Sequence, residues 1–159
     1  VILFEDFTIP AIWESDARKL MNTTEDQAIS RLISTNAFAT VARKQSLVPD
    51  DPYLVVKCTL TEYRMVSHGV RYLVGGLAGT SFFIFRAQVY DGKSGELLFQ
   101  RKMSSETNGG TFTRRADLGL PKFMGNMLAD YLALRARKDK GVNVLPLEPL
   151  TQTGTGKPR

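Results

Sequence analysis

The sharpest alternation of hydrophobic and polar positions runs through SFFIFRAQVY, Ser81 to Tyr90. On an extended chain Phe83, Phe85, Ala87 and Val89 fall on one side, and Phe82, Ile84, Arg86 and Gln88 on the other. Aromatic and β-branched residues in a two-residue period suit a pleated, half-buried strand. The first face is expected in the core; the second is expected to be covered near Phe82 and wet near Gln88. Asp91-Gly92-Lys93-Ser94-Gly95 follows, with two glycines able to take positive φ and an Asp able to bond its own backbone, so the chain should reverse there. Leu97 and Phe99 return on one face, with Leu98, Gln100 and Lys102 on the other. Glu96–Met103 is therefore predicted to pair antiparallel with Ser81–Tyr90. A second alternation predicts a strand from Tyr53 to Met65, with Leu54, Val56, Cys58 and Leu60 on one face.

Elsewhere the period changes to that of helices. Ala28, Ile29, Leu32 and Ile33 form an apolar stripe, and Thr24 followed by Glu25, Asp26 and Gln27 reads as a capped first turn. A helix over Thr24–Thr35 is expected, with a helical region reaching back toward Ser15. Leu120, Phe123, Met124, Met127, Leu128, Tyr131 and Leu134 recur at spacings of three and four, predicting a last helix with Pro121 in its first turn and Gly141 just past its end. Residues 1–9 read as a strand, Phe38–Arg43 as a short one, and Gln45–Pro52 as a loop. The order of strand, helix, several strands and helix predicts an α+β fold: a mainly antiparallel sheet of four to five strands with two helices on one face. Leu120, Phe123, Met127 and Tyr131 are expected to pack on the sheet face carrying Leu54, Val56 and Cys58.

One domain is expected over residues 1–141, with 142–159 as an extended tail. A chain of 159 residues with 43% hydrophobic and 23% charged residues is ordinary globular material. The tail, VNVLPLEPLTQTGTGKPR, is too rich in Pro, Thr and Gly to build a core. Val142, Val144, Leu145, Leu147 and Leu150 nonetheless make it unusually apolar for a linker. Two readings stay open: an untethered chain end, or an arm docking on another chain. The second makes those five residues the candidate partner-binding residues.

The search for chemistry returns few candidates. Gly92-Lys93-Ser94 looks like the end of a phosphate loop, but Ala87 stands where the first glycine should be and a strand follows. Gly75, Gly76 and Gly79 do not fit the dinucleotide fingerprint. His68 is the only histidine and Cys58 the only cysteine. That disfavours a zinc site and forbids an internal disulfide. His68 is expected in a solvated loop, and Cys58 in the core. No G-x-S-x-G supports a serine hydrolase. The pairs Glu5-Asp6, Glu25-Asp26 and Asp50-Asp51 are adjacent, so their carboxylates should diverge. The net charge of +5 is mild. Arg114 and Arg115 fall in a loop, and the basic run Arg135, Arg137, Lys138 and Lys140 lacks interleaved aromatics; it reads either as a solvated helix end or as one attracted to anionic lipid head groups, which fits better than nucleic acid. No catalytic residue, cofactor or metal site is expected. No apolar run reaches the ~20 residues that span a bilayer. The chain opens at Val1 inside a predicted strand without an initiator Met, which reads as a piece of a longer, processed protein.

Two motifs add a resemblance. Arg71-x-Leu73-Val74-Gly75-x-x-Ala78-Gly79 leads into a strand, and Asp91-x-x-Ser94-Gly95-Glu96 joins it to the next. Together with VILFEDFTIP and NAFATVARK, they resemble a bacterial domain-of-unknown-function family made up largely of envelope lipoproteins. The likeness covers about residues 1 to 138, and its motifs are structural. It implies a secreted, non-enzymatic α/β domain, periplasmic and outer-membrane associated, shaped like the periplasmic domain of the curli-secretion channel. Any lipidated cysteine would lie upstream of Val1. The function this implies is a structural or interaction subunit of the cell envelope, partnered by other envelope proteins in a multi-subunit assembly such as a secretion or motility complex. The alternatives are a small-ligand- or nucleic-acid-binding module, and a hydrolase with an unrecognised site.

Overall fold

In a computed structural model of the chain, residues 1–44, 50–65, 81–107 and 114–139 are described, with the side chains of 105–107, 114–118 and 138–139 left aside. The elements run β1 (Ile2–Phe4), a 3-10 turn (Ala11–Trp13), α1 (Glu14–Thr35), β2 (Val41–Arg43), β3 (Leu54–Arg64), β4 (Ser81–Asp91), β5 (Leu97–Thr107) and α2 (Arg114–Asp139). The five strands form one sheet in the order β2-β1-β3-β4-β5. This is the expected α+β fold, and both helices pack against the same face.

The sheet is mixed. β3, β4 and β5 are long and antiparallel, whereas β1 runs parallel to both β2 and β3. The parallel pair follows from connectivity: a helix crossover between β1 and β2 carries the chain back, so β2 starts at the same end as β1. The first strand is shorter than the expected residues 1–9. Beyond Phe4 the chain still tracks β3: Glu5 N–H donates to the Val56 carbonyl, and Thr8 donates to the Cys58 carbonyl and accepts from Leu60 N–H, each 2.9 Å, as an isolated parallel bridge opposite Thr59.

The hairpin is the one the alternation predicts, with Val56 opposite Val89 and Val89 opposite Phe99. The Asp91 carboxylate accepts from the backbone N–H groups of Lys93 (3.0 Å) and Ser94 (2.7 Å), and Gly95 takes φ 73°. Lys93 sits in this turn and donates to the Asp50 carbonyl at 2.6 Å; it is not at a helix N-terminus, which removes the phosphate-loop reading.

Four local expectations are corrected. Thr24 does not cap α1; it is mid-helix and buried, and its hydroxyl donates to the Leu20 carbonyl at 2.9 Å. The helix starts at Glu14, beside the Ser15 toward which the helical pattern reached back, with Glu14 and Asp16 in the first turn where acidic groups suit the dipole. It ends at Asn36 in the left-handed conformation, φ 50°. Pro121 lies inside α2, not in its first turn, because the helix begins at Arg114; Arg114 and Arg115 thus belong to a helix, not a loop. Phe123 is 47% exposed and leaves the predicted core set.

The last correction has a clear cause. α2 lies on both the sheet and α1. Leu120, Met124, Leu128 and Leu132 face inward, and beside them Ala129 and Ala133 are buried. A Cβ on Gly125 would lie 2.5 Å from the Thr24 carbonyl oxygen and 2.8 Å from Gln27 Cβ. Small residues let the two helices approach closely, and Gln27–Asn126 (3.0 Å) and Arg31–Asp130 (3.1 Å) flank the contact. The buried face therefore turns away from Phe123. Gly125→Ala is expected to cost about 1–3 kcal/mol, the usual range for overpacking, read as a lower urea midpoint with an unchanged m-value. A neutral result would place the helices further apart than this.

The core follows the sheet's alternation. Ile2, Phe4, Val56, Cys58, Leu60, Phe83, Phe85, Ala87, Val89 and Met103 meet the helices, while Leu3, Tyr53 and Val55 form a small cluster on the opposite face. Cys58 is buried as expected, and burial raises its thiol pKa, which keeps it protonated and inert.

Candidate functional site

The hairpin places β5 at the border of the sheet, and among the described residues no strand pairs with its outer edge. Such an edge presents backbone N–H and C=O groups to another chain. A register shift between Val89 and Tyr90 pairs Val89 with Phe99 and Tyr90 with Leu97, so Leu98 is the extra residue of a bulge. Leu97 and Leu98 are 42% and 46% exposed. Further along, Phe99 and Arg101 turn toward α2. The Phe99 and Tyr131 rings meet edge to face at 5.9 Å. Arg101 lies 4.7 Å from the Tyr131 centroid, and Arg135 lies 5.3 Å from that of Phe99. Apolar exposure, an open edge and cations thus share one border of the molecule.

A second cluster sits at the opposite border. Arg43 at the end of β2 is 2.8 Å from Asp26, 3.1 Å from Glu25 and 3.5 Å from Asp6. Glu5 separately pairs with Lys44 (2.6 Å) and Lys57 (3.1 Å). Burial pushes Glu5 up, but these two hydrogen-bonded lysines outweigh it and its pKa is lowered. Glu25 differs. It is 1% exposed, and neither carboxylate oxygen makes a hydrogen bond, because the Arg43 guanidinium lies within ion-pair range without pointing an N–H along the bond. Burial drives its pKa up to about 7; Arg43 opposes this, and the Asp6 and Asp26 charges add to it. A carboxyl that titrates near neutrality suits acid–base work, but both oxygens of Glu25 are buried away from the surface.

The acidic pairs were expected to diverge, and Glu5 and Asp6 do engage different cations. Glu25 and Asp26, however, both reach Arg43. Position on a helix is visible in sequence; a guanidinium delivered from a parallel neighbour strand is not. The candidate partner-binding residues Val142, Val144, Leu145, Leu147 and Leu150 lie outside the described residues, as do the 141/142 boundary, His68 and the Arg71–Gly79 motif. Among the described residues no group of three His, Cys, Asp or Glu side chains could hold a metal, and no helix is long and apolar enough to cross a membrane.

No protein-family model matches the sequence, and no curated protein matches it. Solved structures share the fold. A DUF330-family protein from Xanthomonas campestris superposes with a TM-score of 0.61 at 9% identity, over 88% of this chain and 87% of that one. PelC from Paraburkholderia phytofirmans, a dodecamer, superposes with a TM-score of 0.52 at 13% identity, over 83% and 82%. A minor lipoprotein from Acinetobacter baumannii matches more loosely, with a TM-score of 0.44 at 11% identity, over 86% and 94%. Identities this low speak for fold alone.

Proposed function

We propose that this chain is a non-catalytic interaction subunit of the bacterial cell envelope that assembles with further copies of itself through the open edge of β5. The observation that carries this reading is the β5 border, unpaired among the described residues, with Leu97 and Leu98 exposed on it. Adding a strand to such an edge supplies main-chain hydrogen bonds for affinity and side-chain contacts for specificity. The dodecamer formed by PelC, which has the same fold at 13% identity, supports an assembling role. The motifs that resemble envelope lipoproteins support the compartment, the periplasmic side of the outer membrane, with a lipid anchor upstream of Val1. Within a secretion or motility complex, Val142–Leu150 would be a further contact for other envelope proteins.

Light scattering coupled to gel filtration tests the reading. The protein is expected to run as an oligomer well above its 17.7 kDa chain mass. Leu98→Lys, which puts a charge on the edge in the manner of natural edge protection, is expected to return it to monomer with an unchanged circular dichroism spectrum. A wild-type monomer at tens of micromolar, or an oligomer indifferent to Leu98→Lys, would sink the β5 contact.

A further inference from the structure

The end of the sheet beneath the last turns of α2 carries an apolar cleft of about 220 Å³. Ile2 and Leu54 form its floor where β1 and β3 begin. Phe38 and Phe99 form its sides, and Leu132 and Ala136 its roof. Arg135 is the one charged residue of the lining. Its guanidinium lies 5.3 Å from the Phe99 centroid and 5.8 Å from that of Tyr131, and Arg101 lies 4.7 Å from the far partner ring, Tyr131. Among the described residues neither guanidinium has a carboxylate within ion-pair distance, although Arg18, Arg31 and Arg43 each do.

Two requirements follow. The walls offer an occupant apolar contact and no hydrogen-bond partner apart from Arg135. A peptide laid in the slot would bury backbone N–H and C=O groups without partners, which is costly. An alkyl chain has no such groups. The rim offers positive charge that no carboxylate among the described residues pairs, and a carboxylate accepts two N–H donors from one guanidinium. At about 30 Å³ per water-sized group, 220 Å³ takes roughly seven methylenes. We propose that this cleft binds a medium-chain fatty-acid anion, with the alkyl chain between Phe38, Leu54, Phe99 and Leu132 and the carboxylate on Arg135. Arg101 adds to the positive field at the rim. Arg135 then works as a head-group residue, and the Phe99 and Tyr131 rings hold it in place before the ligand arrives.

The test is calorimetric titration of the full chain with sodium decanoate below its micellar concentration. Saturable binding at one site per chain is expected. Arg135→Gln should weaken decanoate about tenfold or more, the scale of a lost charge-assisted hydrogen bond, and leave decanol binding unchanged. Ala136→Phe, which fills the slot from a half-buried helix position, should abolish binding of both, with unchanged circular dichroism as the check on folding. Absence of saturable decanoate binding overturns the proposal. So does decanoate binding that survives Ala136→Phe, and so does equal affinity for decyltrimethylammonium, which would remove Arg135 from the head group. None of these outcomes bears on the β5 contact, whose readout is mass.

Discussion

Phe85→Ala is expected to cost about 3–5 kcal/mol of folding stability, the range for truncating a buried aromatic. Phe85 is fully buried on β4, between β3 and β5, opposite Leu60 and Met103. Its ring meets Phe7 edge to face at 5.2 Å and Phe83 at 6.2 Å, so the substitution removes two aromatic contacts and opens a cavity beneath the helices. Urea unfolding followed by circular dichroism gives the value. Because a whole domain holds only about 5–15 kcal/mol, the milder Phe85→Leu should be measured beside it and should retain most of the loss's direction at smaller size. Phe123→Ala is the contrasting case. With Phe123 47% exposed, its loss should stay below about 1 kcal/mol, in the manner of surface positions. A Phe123 cost equal to that of Phe85 would mean that α2 is rotated from the orientation described.

The second large effect depends on pH. The Glu25 carboxyl is raised from 4.5 to about 7 by burial, with Arg43 in opposition. A raised acid binds its proton more tightly folded than unfolded, so its favourable contribution is complete below the unfolded value. It is lost as pH rises from 4.5 toward 7, and above that the folded protein carries a buried ionised carboxylate. At about 1.4 kcal/mol per pH unit of difference, the loss amounts to about 3 kcal/mol. Glu25→Gln should remove this fall, leaving the variant more stable than wild type at pH 8 and close to it at pH 4.5. Glu5 and Asp91 are shifted the other way, so the difference between the two proteins, not the wild-type profile alone, reports Glu25. Arg43→Met should deepen the fall and carry it to higher pH, since removing one partner of a buried pair leaves the other uncompensated and raises the Glu25 pKa further. Urea midpoints from pH 4.5 to 8.5 decide it; parallel profiles for wild type and Glu25→Gln would show that Glu25 titrates as an ordinary exposed acid.

Much of the antiparallel half was legible in the order of residues. The strands Leu54–Arg64, Ser81–Asp91 and Leu97–Thr107 and the turn between the last two follow from a two-residue period and from Asp91 and Gly95, because the pleat and the turn are local properties of the backbone. The burial of Cys58 and the two α-helices among the described residues were legible for the same reason. The helical pattern reached back toward Ser15, close to the observed start at Glu14, but the capping residue was misplaced. Thr24 is a good cap by type, yet α1 runs through it, since Glu14, Asp16 and packing against the sheet sustain the earlier turns.

The candidate sites were less legible than the fold. The Leu97–Leu98 edge needed the strand order, because which strand stands at a border is set by pairing and not by composition. The apolar cleft needed Ile2, Phe38, Leu54, Phe99 and Arg135 brought together from five separate stretches.

From its sequence alone this chain determined its strands, its turn, its helical periods and its α+β class, all of which rest on interactions between near neighbours. The tertiary structure alone decided three things. One is the parallel placement of β1 beside β2 and β3. Another is the turning of α2, where Gly125, Ala129 and Ala133 meet α1 in place of Phe123. The third is the meeting of Glu25 with Arg43, which lie apart in the chain. Each depends on which surfaces come within a few ångströms, a quantity that small side chains and opposite charges control without leaving a period in the chain.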